Sequence, residues 1–264
     1  MQRNMRLVVL GAAESGVGAA ILALQKGYEV FVSDMGSIKP RYQEMLRKHH
    51  IAFEEGKHTE ELILNADEVV KSPGIPDTAP MVARLIEKGT PILSEIEFAA
   101  RYTDARMIAI TGSNGKTTTT SLIYHILKKA GADVGLAGNI GHSLALQVAE
   151  TPHSTYVIEL SSFQLDNMYR FRADIAVLLN ITPDHLDRYN FEMQNYVNSK
   201  MRILQNQGPT DSFIYWMEDN YVPQALNKRE TAVKRCGFTD EPSEGAVAWA
   251  QNGELVINSP VPFS

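Results

Sequence analysis

Only one cysteine, Cys236, occurs among the 264 residues. A lone thiol cannot build an internal disulfide framework, and its scarcity fits a reducing compartment. Long hydrophobic runs are missing as well. The opening MQRNMRLVVLGAAESG reaches glycine after an apolar stretch too short for a signal-peptide core or a membrane span, so no membrane partner and a cytoplasmic location are expected. Basic runs and basic-aromatic stripes are absent too. A net charge of -6 spread along the chain argues against nucleic acid as a main partner, and any polyanion must be captured locally. No internal repeat or low-complexity tract appears. What remains is 44% hydrophobic and 21% charged with a mean hydropathy of -0.18, a composition able to build sizeable cores. The length fits two ordinary domains, with the boundary expected near Tyr102 to Arg106.

The most informative stretch is MIAITGSNGKTT, Met107 to Thr118. An apolar, β-branched run breaks into a glycine-rich turn, and Gly115-Lys116-Thr117 opens a long helical pattern. Glycines let backbone N–H groups approach phosphate oxygens, and a helix N-terminus adds positive potential. In such a loop Gly112, Ser113, Asn114, Gly115 and Thr118 wrap a nucleotide phosphate, Lys116 neutralises it, and the Thr117 hydroxyl ligates Mg²⁺. Gly112 lies only three positions before Gly115, so this is a variant of the usual G-x-x-x-x-G-K-[ST] spacing.

The N-terminal segment has the same logic with a different fingerprint. Arg6 to Leu10 predicts a strand, GAAESGVGAAILALQKG a glycine turn and a helix ending at Gly27, and Glu29 to Ser33 a second strand ending at Asp34. That is the opening of a nucleotide-binding βαβ unit, with anion-binding N–H groups expected at Ser15 to Gly18. Ala13 stands where G-x-G-x-x-G has its second glycine, which weakens a dinucleotide reading; a tight turn without a ligand is the alternative. Helices near 60–65 and 81–88 and strands near 67–71 and 91–93 continue the alternation.

After the phosphate loop, a helix to about Ala130 and a strand near Asp133 to Ala137 lead into GNIGH. Two apolar strands follow, Tyr156 to Leu160 and Ile175 to Ile181. A helix over Phe191 to Gln205 carries Lys200, and SFIYW, TAVKRCGF, AVAWA and ELVINS read as short strands. Asn139, Glu159, His185 beside Asp184, and Lys200 converge with the loop if the sheet is parallel, because ligands sit at the carboxyl ends of parallel strands. A carboxylate one strand from a phosphate loop suits Mg²⁺. Taken singly, Glu159 also reads as a helix cap, His185 as a structural histidine and Lys200 as a solvated helix lysine.

SPGI (Ser72 to Ile75), TGSNGKTT, GNIG (Gly138 to Gly141), ELSSFQL (Glu159 to Leu165) and NITPDHLDRY (Asn180 to Tyr189) together resemble the Mur ligases. TGSNGKTT marks the wider superfamily, folylpolyglutamate synthetases included, whereas ELSSFQL with DHLDRY is more specific to the branch that adds D-glutamate. The resemblance covers essentially the whole chain, fading after about Asp219. It implies an α/β protein with an N-terminal Rossmann-like βαβ domain (1–103) that binds a UDP-linked substrate and a central P-loop-type parallel-sheet ATPase domain (104–264). It further implies that Glu14, Ser15, Asp34, Met35, Ser72, Pro73, Gly138 and Asn139 contact the UDP-substrate. Lys116, Glu159, His185 and Lys200 would be catalytic, and Thr117, Glu159, His185 and a carbamylated Lys200 would hold two Mg²⁺ ions. The implied partners are UDP-N-acetylmuramoyl-L-alanine, D-glutamate and ATP, joined through an acyl phosphate in peptidoglycan precursor synthesis, with the protein a monomer. Family members carry a third domain that brings D-glutamate contacts, so this chain is expected to bind the UDP-substrate without ligating. An NAD-dependent oxidoreductase, a GTPase-like switch and a nucleotide-binding regulatory module are the other classes. Ala13 disfavours the first, the unexplained N-terminal half the second.

Overall fold

The computed structural model describes residues 4–258. Its first sheet contains β1 (Arg6–Leu10), β2 (Glu29–Asp34), β3 (Ala52–Glu55), β4 (Glu68–Lys71) and β5 (Ile92–Leu93), all parallel in the order β3-β2-β1-β4-β5. RLVVL is buried along its whole length, as a central parallel strand covered on both faces must be. The helices are α1 (Glu14–Gln25), α2 (Pro40–Lys48), α3 (Glu60–Ile63), α4 (Pro80–Glu87) and α5 (Glu95–Ala100). The strand order reverses at β1, so β1 and β4 diverge into a crevice at their carboxyl ends, where Gly11 and Ser72 lie.

The second sheet takes β6 (Arg106–Thr111), β7 (Val134–Gly138), β8 (Thr155–Glu159), β9 (Ile175–Leu178), β10 (Ser212–Trp216), β11 (Lys234–Thr239), β12 (Ala246–Gln251) and β13 (Glu254–Ile257). Its order is β13-β12-β11-β10-β9-β6-β8-β7, with only β13 antiparallel to its neighbour. Between these strands run α6 (Lys116–Lys129), α7 (Leu144–Glu150), α8 (Ser162–Asp166), α9 (Met193–Lys200) and α10 (Val222–Asn227). β6 is flanked by β8 and β9, with Ile110 opposite Glu159 and Thr111 opposite Leu178. The residues after these three strands therefore meet at one end of the sheet.

The fold is thus the expected α/β pair, a Rossmann-like sheet followed by a P-loop-type parallel sheet. The long helix expected over Phe191 to Gln205 is shorter: α9 stops at Lys200 and a 3-10 turn, Met201–Leu204, follows. ELVINS forms β13 as far as Ile257, and its Ser259 lies outside the described residues. Helices α2, α7, α8 and α10 and strand β3 have no counterpart in the sequence reading.

The two sheets are joined by helices. Helix α1 lies against α7 so closely that a Cβ on Gly18 would stand 2.1 Å from Ser143 Oγ. Helix α5 adds two buried acids. Glu95 accepts from Ser143 Oγ (2.7 Å) and Ala145 N–H (2.6 Å) at the start of α7, while Glu97 accepts from the N–H groups of Tyr169, Arg170 and Phe171 at 2.8–3.1 Å. Burial raises the Glu95 carboxyl to about 7. Among the described residues no helix is long and apolar enough to cross a membrane.

Candidate active site between the two sheets

The phosphate loop is held open by its own sequence. Gly112 (φ +154) and Gly115 (φ +82) take backbone conformations that disfavour side chains, and a Cβ on Gly112 would press on Leu179 Cβ at 3.1 Å. Asn180 brackets the turn: its Oδ1 accepts from Asn114 N–H (2.9 Å) and its Nδ2 donates to Asn114 O (3.1 Å). Ser113 Oγ donates to Thr182 O at 2.9 Å. In α6 Thr119 N–H bonds to Gly115 O, so the N–H groups of Lys116, Thr117 and Thr118 precede the helical ladder and remain for an anion. Lys116 Nζ folds back over the loop onto Gly112 O (2.8 Å) and Ser113 O (2.9 Å).

Glu159 ends β8 and is 1% exposed. Its Oε2 accepts from Thr117 Oγ1 (2.8 Å) and its Oε1 from Asn139 Nδ2 (2.9 Å), while Asn139 N–H donates to Glu159 O (2.9 Å). Gly138 permits that approach, since a Cβ there would stand 2.1 Å from Glu159 O. Both carboxylate oxygens are met by neutral donors, with no ion pair among the described residues. A buried, uncompensated carboxylate beside a hydroxyl matches the hard oxygen donors that Mg²⁺ takes together with phosphate and water. No group of three or more His, Cys, Asp or Glu side chains able to hold a metal occurs among the described residues, so a ready-made protein cage is not what this site offers.

Lys200, at the end of α9, is not the solvated lysine its helix position allows. It is 2% exposed, and its Nζ donates to Gly112 O (2.8 Å), the carbonyl that also receives Lys116. Burial, reinforced by Lys116, pushes its pKa down to about 7. His185 sits in a left-handed conformation (φ +50) with an exposed ring, Nε2 3.5 Å from Asp184 Oδ2 and its centroid 5.2 Å from that of Phe163.

A cavity of about 290 Å³ gathers these groups: Lys116, Asn139, His185 and Lys200 line it, facing Pro73 and Gly74 of the first sheet's SPGI loop. Thr117 and Glu159 stand outside its lining and are tied to it through Asn139. Tyr196, Ser161 and Phe163 also line it and were not anticipated; Ser161 is marked in sequence by its capping box with Gln164.

Gly74 also borders a larger cavity of about 750 Å³ at the crevice of the first sheet, lined by Gly11, Ala13, Asp34, Met35 and Ser72 among others. Asp34 fixes its floor by accepting from the N–H groups of Ala12 (2.7 Å) and Gly36 (2.8 Å). Glu14 and Ser15 do not line this cavity; Glu14 Oε1 turns instead toward His142 Nδ1 and Ser143 N–H, each at 3.3 Å. Of the N–H groups expected at Ser15 to Gly18, that of Val17 is already bonded to Ala13 O, whereas those of Ser15 and Gly16 in the first turn of α1 precede the helical ladder. His58, which lines the cavity with Nδ1 2.7 Å from Ser33 Oγ, was missed within the unassigned stretch between β2 and α3.

Known proteins share this arrangement. The Mur ligase middle domain matches residues 110–256 and the MurD N-terminal domain residues 6–81. A UDP-N-acetylmuramoylalanine--D-glutamate ligase of Bacteroides fragilis is 64% identical over 98% of this chain, and one of Christiangramia forsetii is 49% identical over 96%. The chain spans 58% and 57% of the lengths of these curated relatives. Among solved structures, a UDP-N-acetylmuramate:L-alanyl-gamma-D-glutamyl-meso-diaminopimelate ligase from Neisseria meningitides superposes with a TM-score of 0.66 at 18% identity, covering 97% of this chain and 85% of that one. The UDP-N-acetylmuramate-alanine ligase of Thermotoga maritima gives 0.54 at 20%, covering 93% and 54%. Those two likenesses concern the fold, but the middle-domain match runs through the phosphate loop, Glu159, His185 and Lys200 over more than half of the chain: the protein belongs to the Mur ligase family.

Proposed function

We propose that this chain carries the UDP-substrate and ATP sites of a ligase that adds D-glutamate to UDP-N-acetylmuramoyl-L-alanine in peptidoglycan precursor synthesis. Residues 1–103 bind the UDP-substrate and residues 104–264 the ATP, in a cytoplasmic monomer with no nucleic-acid or membrane partner. The curated relatives bear this activity in their names. The observation that carries the reading is the junction cavity, where the SPGI loop of one sheet faces Lys116, Asn139, His185 and Lys200 of the other. Gly74 borders both cavities, so a substrate with its uridine end in the larger one has a path to the phosphate loop.

In this reading the alanine carboxylate takes the γ-phosphoryl group of ATP to give an acyl phosphate. The amine of D-glutamate then attacks, and the tetrahedral intermediate collapses to an amide and phosphate. Lys116 and the first-turn N–H groups of α6 offset charge on the transferring phosphoryl group. Mg²⁺, two ions in this reading, supplies further neutralisation when bound, with Thr117, Glu159, His185 and Lys200 as the residues that would hold it. Lys200 serves that role only as a carbamate. Its lowered pKa leaves a sizeable fraction of neutral amine near neutral pH, and attack on CO₂ with loss of a proton replaces a repelling cation by an anionic oxygen donor. Calorimetric titration with UDP-N-acetylmuramoyl-L-alanine, with NADH as control, tests the proposal. Saturable binding of the first alone is expected; NADH binding alone, or silence with both, overturns it.

A further inference from the structure

A third cavity plays no part in the proposed reaction. About 540 Å³ in volume, it opens between the 3-10 turn Leu186–Tyr189 and α9, lined by Arg188, Arg202 and Arg229 together with Asp166, Tyr189 and Asn198. Three guanidinium groups face one carboxylate, and Asp166 Oδ2 already accepts from the Tyr189 hydroxyl (2.9 Å). Arg202 is anchored by the carbonyls of Leu165 (2.7 Å) and Met168. Arg188 and Arg229 are not: among the described residues neither guanidinium donates a hydrogen bond to, or pairs with, a protein group. Arg188 instead lies 4.4 Å over the Phe163 ring. Both are only partly exposed, and burial together with Arg202 lowers the pKa of Arg229. Unpaired guanidinium groups crowded in a recess are unfavourable, and their planar forks match carboxylate and phosphate oxygens bidentately. The volume suits a small ligand.

We propose that this cavity binds a small multivalent oxyanion, of the pyrophosphate or polycarboxylate type, between Arg188 and Arg229 with Arg202 behind them. The Phe163 ring that carries Arg188 also packs against His185, so the bound anion adjoins the wall of the junction cavity. The proposal is independent of the ligase reading, since none of these arginines lines either nucleotide cavity.

The test is calorimetry at low salt with sodium pyrophosphate and, separately, citrate, using the chain with Lys116→Ala so that the phosphate loop contributes little. One-to-one binding of at least one probe is expected, weakened tenfold or more by Arg188→Ala with Arg229→Ala. Asn198→Asp, which sets a carboxylate in the cavity without removing an arginine, should weaken it similarly and decides the matter if the double variant does not fold. No heat at millimolar probe, or titrations unaltered by these variants, overturns the proposal. Binding of UDP-N-acetylmuramoyl-L-alanine by the arginine variants should match the parent, which keeps the two proposals separable.

Discussion

Gly18 ends the Ser15 to Gly18 stretch expected to face an anion, yet the structure sets it against a neighbouring helix. An ideal Cβ at Gly18 stands 2.1 Å from Ser143 Oγ, 2.9 Å from Ser143 Cβ and 3.0 Å from Leu146 N. The hydroxyl cannot simply rotate away, because it donates to Glu95 Oε1 (2.7 Å) and accepts from Leu146 N–H (3.1 Å) as the N-cap of α7. Gly18→Ala must therefore break that cap, worth about 1 kcal/mol, or push α1 from α7, and overpacking costs about 1–3 kcal/mol. Against this, alanine in a helix interior gains about 1 kcal/mol over glycine. The clash outweighs or matches that gain, and a net loss of up to about 2 kcal/mol is expected in urea unfolding followed by circular dichroism. Ser143→Gly removes two of the three contacts, so in that background Gly18→Ala should cost at least about 1 kcal/mol less. Higher stability of Gly18→Ala than of the parent, or purely additive effects of the two substitutions, would refute the helix-contact assignment. Weakened UDP-substrate binding with unchanged stability would return Gly18 to the ligand turn.

Three further outcomes are expected. Under the proposed function Lys116→Ala should abolish ATP binding while leaving UDP-substrate affinity little changed, since the groups lie on different sheets; isothermal titration with each ligand checks the split, and comparable loss of both contradicts it. Lys200→Ala should lose ligase activity and regain part of it with acetate or formate, because a small carboxylate can occupy the place of a carbamate; the absence of any rescue counts against a carbamate. Glu95 has its carboxyl raised by burial from an ordinary 4.5 to about 7. The folded chain holds that proton across this window while the unfolded chain releases it, so this group's contribution to stability is full below pH 4.5 and is lost as pH rises through about 7. Glu95→Gln is neutral throughout, and its stability relative to the parent should climb over that range; a pH-independent difference in urea midpoints would show that Glu95 does not titrate there.

What could be read in the sequence, and what could not, follows from the range of the forces involved. Strands such as RLVVL, and the glycine-to-helix step at Gly115-Lys116, are set by local preference and burial on both faces, and both appear as read. Parallel strands also place residues by their ends, which is why Asn139 after β7 and His185 in the loop after β9 line one cavity with Lys116, while Lys200 reaches it from the end of α9. Short amphipathic pieces failed instead. Helix α7 is seven residues long and held by Glu95, 48 positions away from its cap Ser143, a contact invisible to any local pattern. The same cause hides what Glu14 and Gly18 touch: the turn after β1 looks alike whatever its residues meet, and their contacts with Ser143 come from a segment more than 120 positions away. Lys200 shows the complementary failure. Its polar helix suggested a solvated face, but the amine bonds to the carbonyl of Gly112, 88 residues earlier, and there burial, with Lys116 adding to it, lowers its pKa to about 7.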